Sequence, residues 1–292
     1  MDFSTFHNQA WHDHMTVARE VAQRLSHGVA LVTTESQLTQ LANLAQHVHG
    51  SHLGEWRTGM AFIEGLTALP LCQPEGASGQ SLRRCLASLA LSAGDESAAS
   101  LARMSPSDRI RVGAMAAADL AEHDTTRSAR LLQAALDEAA RAGLAAADPM
   151  HRALAVAGNS LACMLEEKAE RSTAERALMI LAAQTARHHW AIAGTWLETE
   201  RAEYRLALTW LQAGDLAQAR THAQNCLEIV AANDGAALER LFGWEALGRI
   251  ERAAGNAIGH AQALAQARSA FAALDESDTS WCAASIDKLA AA

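Results

Sequence analysis

The chain has 292 residues and a formal net charge of −9, from 33 acidic and 24 basic side chains. Half of the residues are hydrophobic, but only 4% are aromatic and only 4 residues are proline, while alanine runs recur throughout. Because alanine and arginine are strong helix formers, this composition predicts an all-α fold. It excludes a strand-rich enzyme, a disordered chain and a disulfide scaffold.

The charge balance, the cysteines and the N-terminus limit the partners and the compartment. A dedicated nucleic-acid binder needs a clustered basic face, which an acidic chain does not favour. The 5 cysteines are widely spaced without a Cys-x-x-Cys pair, a pattern typical of reduced thiols. No stretch reaches the roughly 18 apolar residues of a membrane-spanning helix, and no apolar signal core begins the chain. We therefore expect a soluble, cytoplasmic protein with neither a nucleic-acid nor a membrane partner.

The N-terminal third predicts four to six helices of irregular length. Apolar residues at helical spacing place these helices near residues 6–26, 36–49, 52–69, 79–92 and 96–103. The first helix is expected to stop at His27-Gly28, the second at Gly50 and the third at Pro70. We assign residues 1–105 to an N-terminal helical region, which consists of degenerate repeats or of a separate cap.

Two strong helix starts follow this region. Ser105 is suited to cap a helix, with Pro106 at its first position and Asp108 in its first turn. Asp148-Pro149 is a second such start. Beyond the first start the pattern becomes repetitive, and we assign residues 106–292 to a helical repeat region.

The clearest repeat runs over residues 202–233. It consists of two amphipathic segments joined by a turn at Gly214-Asp215, with Ala207 and Ala219 where two antiparallel helices must approach closely. Leu206, Trp210, Leu216 and Leu227 are expected to supply the bulk between the two helices. Equivalent small residues recur at Ala116, Ala162, Ala207 and Gly248, at spacings of 46, 45 and 41 residues. This pattern predicts a series of similar helical hairpins.

The repeated pattern resembles the tetratricopeptide repeat, a helix-turn-helix unit of roughly 34 residues. A second copy carries Trp244, Leu247 and Gly248 at the Trp-x-x-Leu-Gly positions of that family. The resemblance covers residues 110–275 and implies a right-handed α-solenoid of antiparallel hairpins with a concave groove. It also implies a scaffold that binds a peptide or protein partner in this groove, without a cofactor.

The resemblance also indicates which side chains would line the groove. The partner-binding positions map to Asn159, Arg201, Tyr204, Glu245, Arg249 and Arg252. A guanidinium group can donate two parallel hydrogen bonds to one carboxylate. The arginines in this set therefore favour a partner with an acidic segment.

Histidines supply the main alternative. Two groups stand out among the 13 histidines: His7, His12 and His14 around Trp11, and His47, His49 and His52 around Gly50. A metal site needs imidazoles that converge on one point, which neither linear spacing delivers by itself, although a bend at Gly50 would bring its three histidines together. The main interpretation therefore includes no metal, and the alternative is a metal- or cofactor-binding helical protein that uses these histidines.

Catalytic motifs do not accompany these residues. The sequence has no Glu-x-x-His pair, no His-Glu-x-x-His, no nucleotide-binding glycine loop and no Gly-x-Ser-x-Gly. A helical enzyme is consequently a third hypothesis, less expected than a scaffold.

Overall fold

The computed structural model of the protein describes residues 1–95 and 101–291. These residues form thirteen α-helices and one π-helix and contain no strand, so the all-α prediction is confirmed for them. Helices pack against helices that are close in sequence, and the contacts divide the chain into two compact units, residues 1–153 and 154–292. The division predicted after residue 105 follows the repeat pattern rather than the contacts, and it stays a prediction.

The first unit contains most of the large buried side chains. Its helices are α1 (Phe3–Leu31), α2 (Glu35–His47), α3 (Trp56–Thr67), α4 (Ala77–Ser92), α5 (Pro106–Asp119) and α6 (Thr125–Ala142). The π-helix Val48–His52, which we call the π-turn, lies between α2 and α3. Leucines from α1, α2 and α4 form one apolar core, with Leu25, Leu38 and Leu82 almost fully buried.

Helix α1 is longer than the sequence predicted. Its N-terminus is capped by the Asp2 carboxylate, which accepts from the Thr5 N–H, and Val17 interrupts the helix with non-helical angles (φ −135°, ψ 46°). The predicted stop at Gly28 is wrong, because Gly28 is buried inside the helix. A Cβ at this position would lie 2.5 Å from a ring carbon of Phe6. Gly28 therefore permits close packing rather than ending the helix.

Other predicted boundaries fared differently. The side chain of Ser105 caps α5 by accepting from the Asp108 N–H, and Pro106 is the first helical residue, as predicted. Helix α2 does not end at Gly50, since the chain continues through the π-turn to His52. The helix predicted near residues 96–103 falls mainly on residues 96–100, which lie outside the described residues.

The second unit is a series of helices joined by short connections. The helices are α7 (Pro149–Glu167, which begins in the first unit), α8 (Thr173–Ala193), α9 (Trp196–Ala213), α10 (Leu216–Ala232), α11 (Ala237–Ala253), α12 (Ala257–Phe271) and α13 (Glu276–Ala290). Each of α8 and α9 begins with a capping box, in which Ser172 pairs with Glu175 and Thr195 pairs with Glu198. Reciprocal hydrogen bonds of this kind satisfy backbone groups that a helix start leaves free.

Small residues of α9 and α10 are buried in one apolar cluster. Ala207 and Ala219 are fully buried and belong to one apolar cluster. Of the larger residues expected between the helices, Leu206 is buried, whereas Trp210, Leu216 and Leu227 are only half-buried. The predicted hairpin therefore forms, with alanines and Leu208 in its buried cluster and Trp210 packed against that cluster.

The described helices include no candidate for a membrane-spanning segment. None of them combines the length and the apolar character that a membrane crossing needs.

Candidate metal centre

Three imidazoles from two separate segments of the first unit lie together. His14 is on α1, His47 ends α2 and His52 ends the π-turn. Their ring centroids are 5.0 Å apart for His14 and His47, 5.0 Å for His14 and His52, and 4.7 Å for His47 and His52. One ligand nitrogen from each ring lies within 4.8 Å of the others. Among the described residues, this is the one group of three such side chains with donor atoms this close.

The π-turn brings His47 and His52 together. In a regular α-helix, at about 100° per residue, side chains five positions apart would diverge by about 140°. A π-helix closes its hydrogen bond over five residues, and here the Leu53 N–H donates to the Val48 carbonyl oxygen at 3.1 Å. This wider turn directs both imidazoles to the same side, so that their Nε2 atoms are 3.1 Å apart.

The tautomer of His14 is set by the backbone. Its Nδ1 lies 2.6 Å from the carbonyl oxygen of Trp11. Because a carbonyl oxygen only accepts hydrogen bonds, the neutral ring carries its proton on Nδ1, and the lone pair is then on Nε2. Metal-binding histidines in proteins commonly donate their second nitrogen to a backbone carbonyl in this way.

Trp11 also holds the ring of His47. The indole stacks on this imidazole with a centroid distance of 5.2 Å and an interplanar angle of 25°, and it meets His14 edge-on at 5.0 Å. One side chain therefore contacts two of the three imidazoles. It restricts their rotation and gives the cluster an aromatic neighbour.

Burial keeps two of the imidazoles neutral. Burial, together with smaller contributions from the neighbouring His52 and His14, lowers the pKa of His47 to about 3. Burial likewise lowers the pKa of His52 to about 4, with His14 adding to the effect. At neutral pH both rings are therefore in the form whose nitrogen lone pair can bind a metal.

The donor set fits a transition metal better than a hard cation. Magnesium and calcium take oxygen ligands, whereas imidazole suits Zn²⁺, Cu, Ni and Fe. Zinc binds imidazole nitrogen at about 2.0–2.1 Å and is usually tetrahedral. Three histidines would thus leave one coordination position for water or for an external ligand.

The remaining histidines of the two sequence groups lie elsewhere. His7 accepts a hydrogen bond from Trp11 Nε1 at 2.9 Å and stacks on Phe3, while His12 is exposed. His49 is buried with its Nδ1 3.7 Å from a Glu55 carboxylate oxygen. The site therefore takes one histidine from the first group and two from the second. No sequence signal linked the two groups, because their convergence depends on how α1 packs against α2 and the π-turn.

The residues assigned to a groove in the second unit make contacts with one another. Tyr204 OH on α9 donates to Glu245 on α11 at 3.2 Å, and Arg249 donates to the same carboxylate at 3.3 Å. Arg201 on α9 pairs with Glu239 of α11 at 3.1 Å, although its side chain remains 61% exposed. The first helices of successive hairpins therefore face each other here. Carboxylates neutralise much of the positive charge that was expected to receive an acidic segment.

The last two groove positions differ from these. Arg252 donates to carbonyl oxygens at the end of α13, at 3.0 Å to Lys288 and 2.8 Å to Ala291. It satisfies backbone acceptors that a helix C-terminus leaves without partners. Asn159 is half-buried on α7. Arg252 therefore caps the C-terminus of α13.

Comparison with known proteins adds no family. No protein-family model matches the sequence. A search of the curated proteins finds no match either. The resemblance to tetratricopeptide repeats consequently rests on the residue pattern and on the packing of neighbouring helices alone.

Proposed function

We propose that the chain is a metal-binding helical protein in which His14, His47 and His52 bind one Zn²⁺-type ion. One observation carries this proposal: a ligand nitrogen from each of these imidazoles, which come from two separate segments, lies within 4.8 Å of the other two. The neutral state of His47 and His52 and the backbone-held tautomer of His14 support it, because ligation needs deprotonated nitrogens.

Structural packing is the alternative explanation of the cluster. Two features favour the metal over packing alone. Burial removes the polar imidazoles of His47 and His52 from water, as their lowered pKa values indicate. Apolar side chains would fill the same space without this desolvation cost. The π-turn also departs from regular helix geometry, and such turns occur frequently at functional sites.

The number of ligands indicates the kind of metal site. Structural zinc sites usually have four protein ligands, whereas sites that react or exchange ligands have three and an open position. Three histidines therefore support a site whose ion accepts an external ligand.

The experiment is a metal titration of the chain after treatment with a chelator. We expect one Zn²⁺ per chain by elemental analysis, and intense visible absorption when Co²⁺ replaces Zn²⁺, as tetrahedral coordination produces. The variants His47→Ala and His52→Ala should lose this binding. The matched control is His12→Ala, because His12 is exposed on the same helix as His14. Zinc binding that is absent from the wild type, or that survives both cluster variants, would contradict the proposal.

A second function is supported by a different part of the chain. Residues 154–292 would form a right-handed, tetratricopeptide-like solenoid that binds an acidic peptide or protein segment in the cytoplasm. The contacts from α9 to α11 and the 61% exposed Arg201 side chain support the groove, and the free thiols of the five cysteines support the compartment. A polyglutamate peptide should bind the wild type, less tightly at high salt. Arg201→Gln should weaken this binding, whereas Arg268→Gln, an exposed change on α12, should not.

A further inference from the structure

A buried carboxylate lies against the π-turn. Asp119, the last residue of α5, is 1% exposed. The Gln46 amide nitrogen donates to both of its oxygens, at 3.0 and 2.8 Å. The Ser51 hydroxyl donates to one oxygen at 2.9 Å, and the Ser92 hydroxyl lies 3.4 Å from the other. All three partners are neutral, and Asp119 takes part in no salt bridge that the described residues form.

Two of these donors are sequence neighbours of the metal ligands. Gln46 directly precedes His47, and Ser51 directly precedes His52. The Asp119 carboxylate therefore accepts hydrogen bonds from a residue before the π-turn and from a residue within it. Ser92 belongs to α4 and has no such relationship to the histidines.

Gly50 makes this arrangement possible. A Cβ at this position would lie 2.5 Å from an oxygen of Asp119, which is closer than any contact between these atoms allows. The Gly50 carbonyl oxygen also accepts from Trp56 Nε1 at 3.2 Å. The centre of the π-turn is thus held from two sides, by a carboxylate and by an indole.

We propose that Asp119 is a positioning residue for the metal site, because by holding Gln46 and Ser51 it fixes the separation of the His47 and His52 imidazoles. The inference rests on the proposed metal binding by these histidines. Asp119 does not contact the ion. It acts as the hydrogen-bonded support that metal ligands commonly have behind them.

A buried carboxylate lowers the stability of the folded chain, which a purely structural role does not explain. Burial raises the pKa of Asp119 to about 7, and the hydrogen bonds from Ser51, Gln46 and Ser92 offset only part of this effect. The residue also sits at the negative end of the α5 dipole, which opposes a negative charge. A buried group that costs stability but orders a site is typical of functional support.

The test compares three variants. Asp119→Asn replaces one carboxylate oxygen by an NH₂ group. Because the Gln46 amide donates to both oxygens of Asp119, the new NH₂ faces this donor in either orientation of the Asn side chain. Ser51→Ala removes one contact to the π-turn, and Ser92→Ala is the matched control, since it removes a contact to Asp119 from α4. Zn²⁺ affinity is measured by competition with a chelating dye. In parallel, hydrogen exchange follows the Leu53 amide, which bonds across the π-turn, against the Gly59 amide in α3.

We expect Zn²⁺ affinity to fall about 10–100-fold in Asp119→Asn, to fall in Ser51→Ala and to stay unchanged in Ser92→Ala. Exchange at Leu53, relative to Gly59, should accelerate in the first two variants only. Unchanged affinity and unchanged Leu53 exchange in Asp119→Asn and Ser51→Ala would overturn the positioning role while leaving the metal site intact. If the wild type binds no metal, the proposed function fails. Leu53 exchange then decides by itself whether Asp119 orders the π-turn.

Discussion

The Nε2 atoms of His47 and His52 lie 3.1 Å apart although five positions separate the residues in the chain. This proximity results from one extra residue in a helical turn, closed by the hydrogen bond from Leu53 to Val48. If the same five positions were wound as a regular α-helix, the two imidazoles would point about 140° apart, and one ion could not contact both. The candidate site therefore depends on a local irregularity that lies between its own ligands.

Zinc should stabilise the folded chain. A ligand that binds only the folded state adds about 2.7 kcal/mol to the free energy of unfolding when its concentration is 100 times its Kd. We expect the thermal midpoint of the chelator-treated chain to rise on addition of Zn²⁺ and to fall again with excess chelator. His47→Ala should show no such rise, whereas the exposed-site control His12→Ala should match the wild type. A rise of equal size in His47→Ala would place the stabilising ion elsewhere.

Asp119 should make the metal-free chain less stable as pH rises from about 4 to about 7. Its pKa of about 7 in the folded state exceeds the ordinary value of 3.8, so in this interval the folded state holds a proton that the unfolded state has lost. The free energy of unfolding then falls by at most about 1.4 kcal/mol per pH unit and is constant above the folded pKa. Urea denaturation at several pH values should show that Asp119→Asn lacks this contribution. An identical pH profile in both chains would contradict the assignment.

The cluster histidines should act in the opposite direction. Their pKa values of about 3 for His47 and about 4 for His52 lie below the ordinary value of 6.5. The stability that they contribute as neutral rings is complete above pH 6.5 and is lost as pH falls toward the folded values. A His47→Asn/His52→Asn chain without metal should therefore lose less stability than the wild type between pH 6.5 and 4. If both chains lose the same amount, these imidazoles are not held neutral by burial.

The α9–α10 contact should not tolerate a larger side chain. Ala219 is 0% exposed and packs in the cluster that contains Ala207. Ala219→Leu should lower the free energy of unfolding by about 1–3 kcal/mol through overpacking. Ala217→Leu, an exposed change two residues earlier, is the control and should have little effect. Equal stability of the two variants would mean that α10 is rotated from the orientation described.

Arg249 should matter for stability, not only for binding. Its guanidinium donates to Glu245, which is 7% exposed. Arg249→Glu removes the cation and places a second carboxylate beside a buried one, so we expect a loss of about 1–3 kcal/mol. Arg249→Gln keeps a donor and should lose less. Chemical denaturation of the two variants measures the difference, and equal unfolding of Arg249→Glu and wild type would show that Glu245 does not depend on this ion pair.

Several features were determined by the sequence itself, because their causes are local. Alanine-rich amphipathic segments predicted helices, Ser105-Pro106 predicted the start of α5, and Gly214-Asp215 predicted the turn between α9 and α10. Capping and turn formation depend on residues within a few positions of each other. The helix stop predicted at Gly28 is wrong because the role of this glycine is not local. It permits the close approach of Phe6, which lies 22 positions earlier in the chain.

Tertiary structure alone decided the candidate site. His14 meets His47 and His52 only because α1 packs against α2 and the π-turn, and Asp119 reaches the π-turn from 68 positions further along the chain than Ser51. Helical periodicity has no information about the partner across a packing interface, because it describes which face is apolar and not what covers it. The partner of Arg201, Glu239 on α11, was undetermined for that reason too, whereas Arg249 pairs with Glu245 four positions earlier on its own helix. Local sequence determines where the helices form, and the packing of side chains between helices determines which polar groups come into contact.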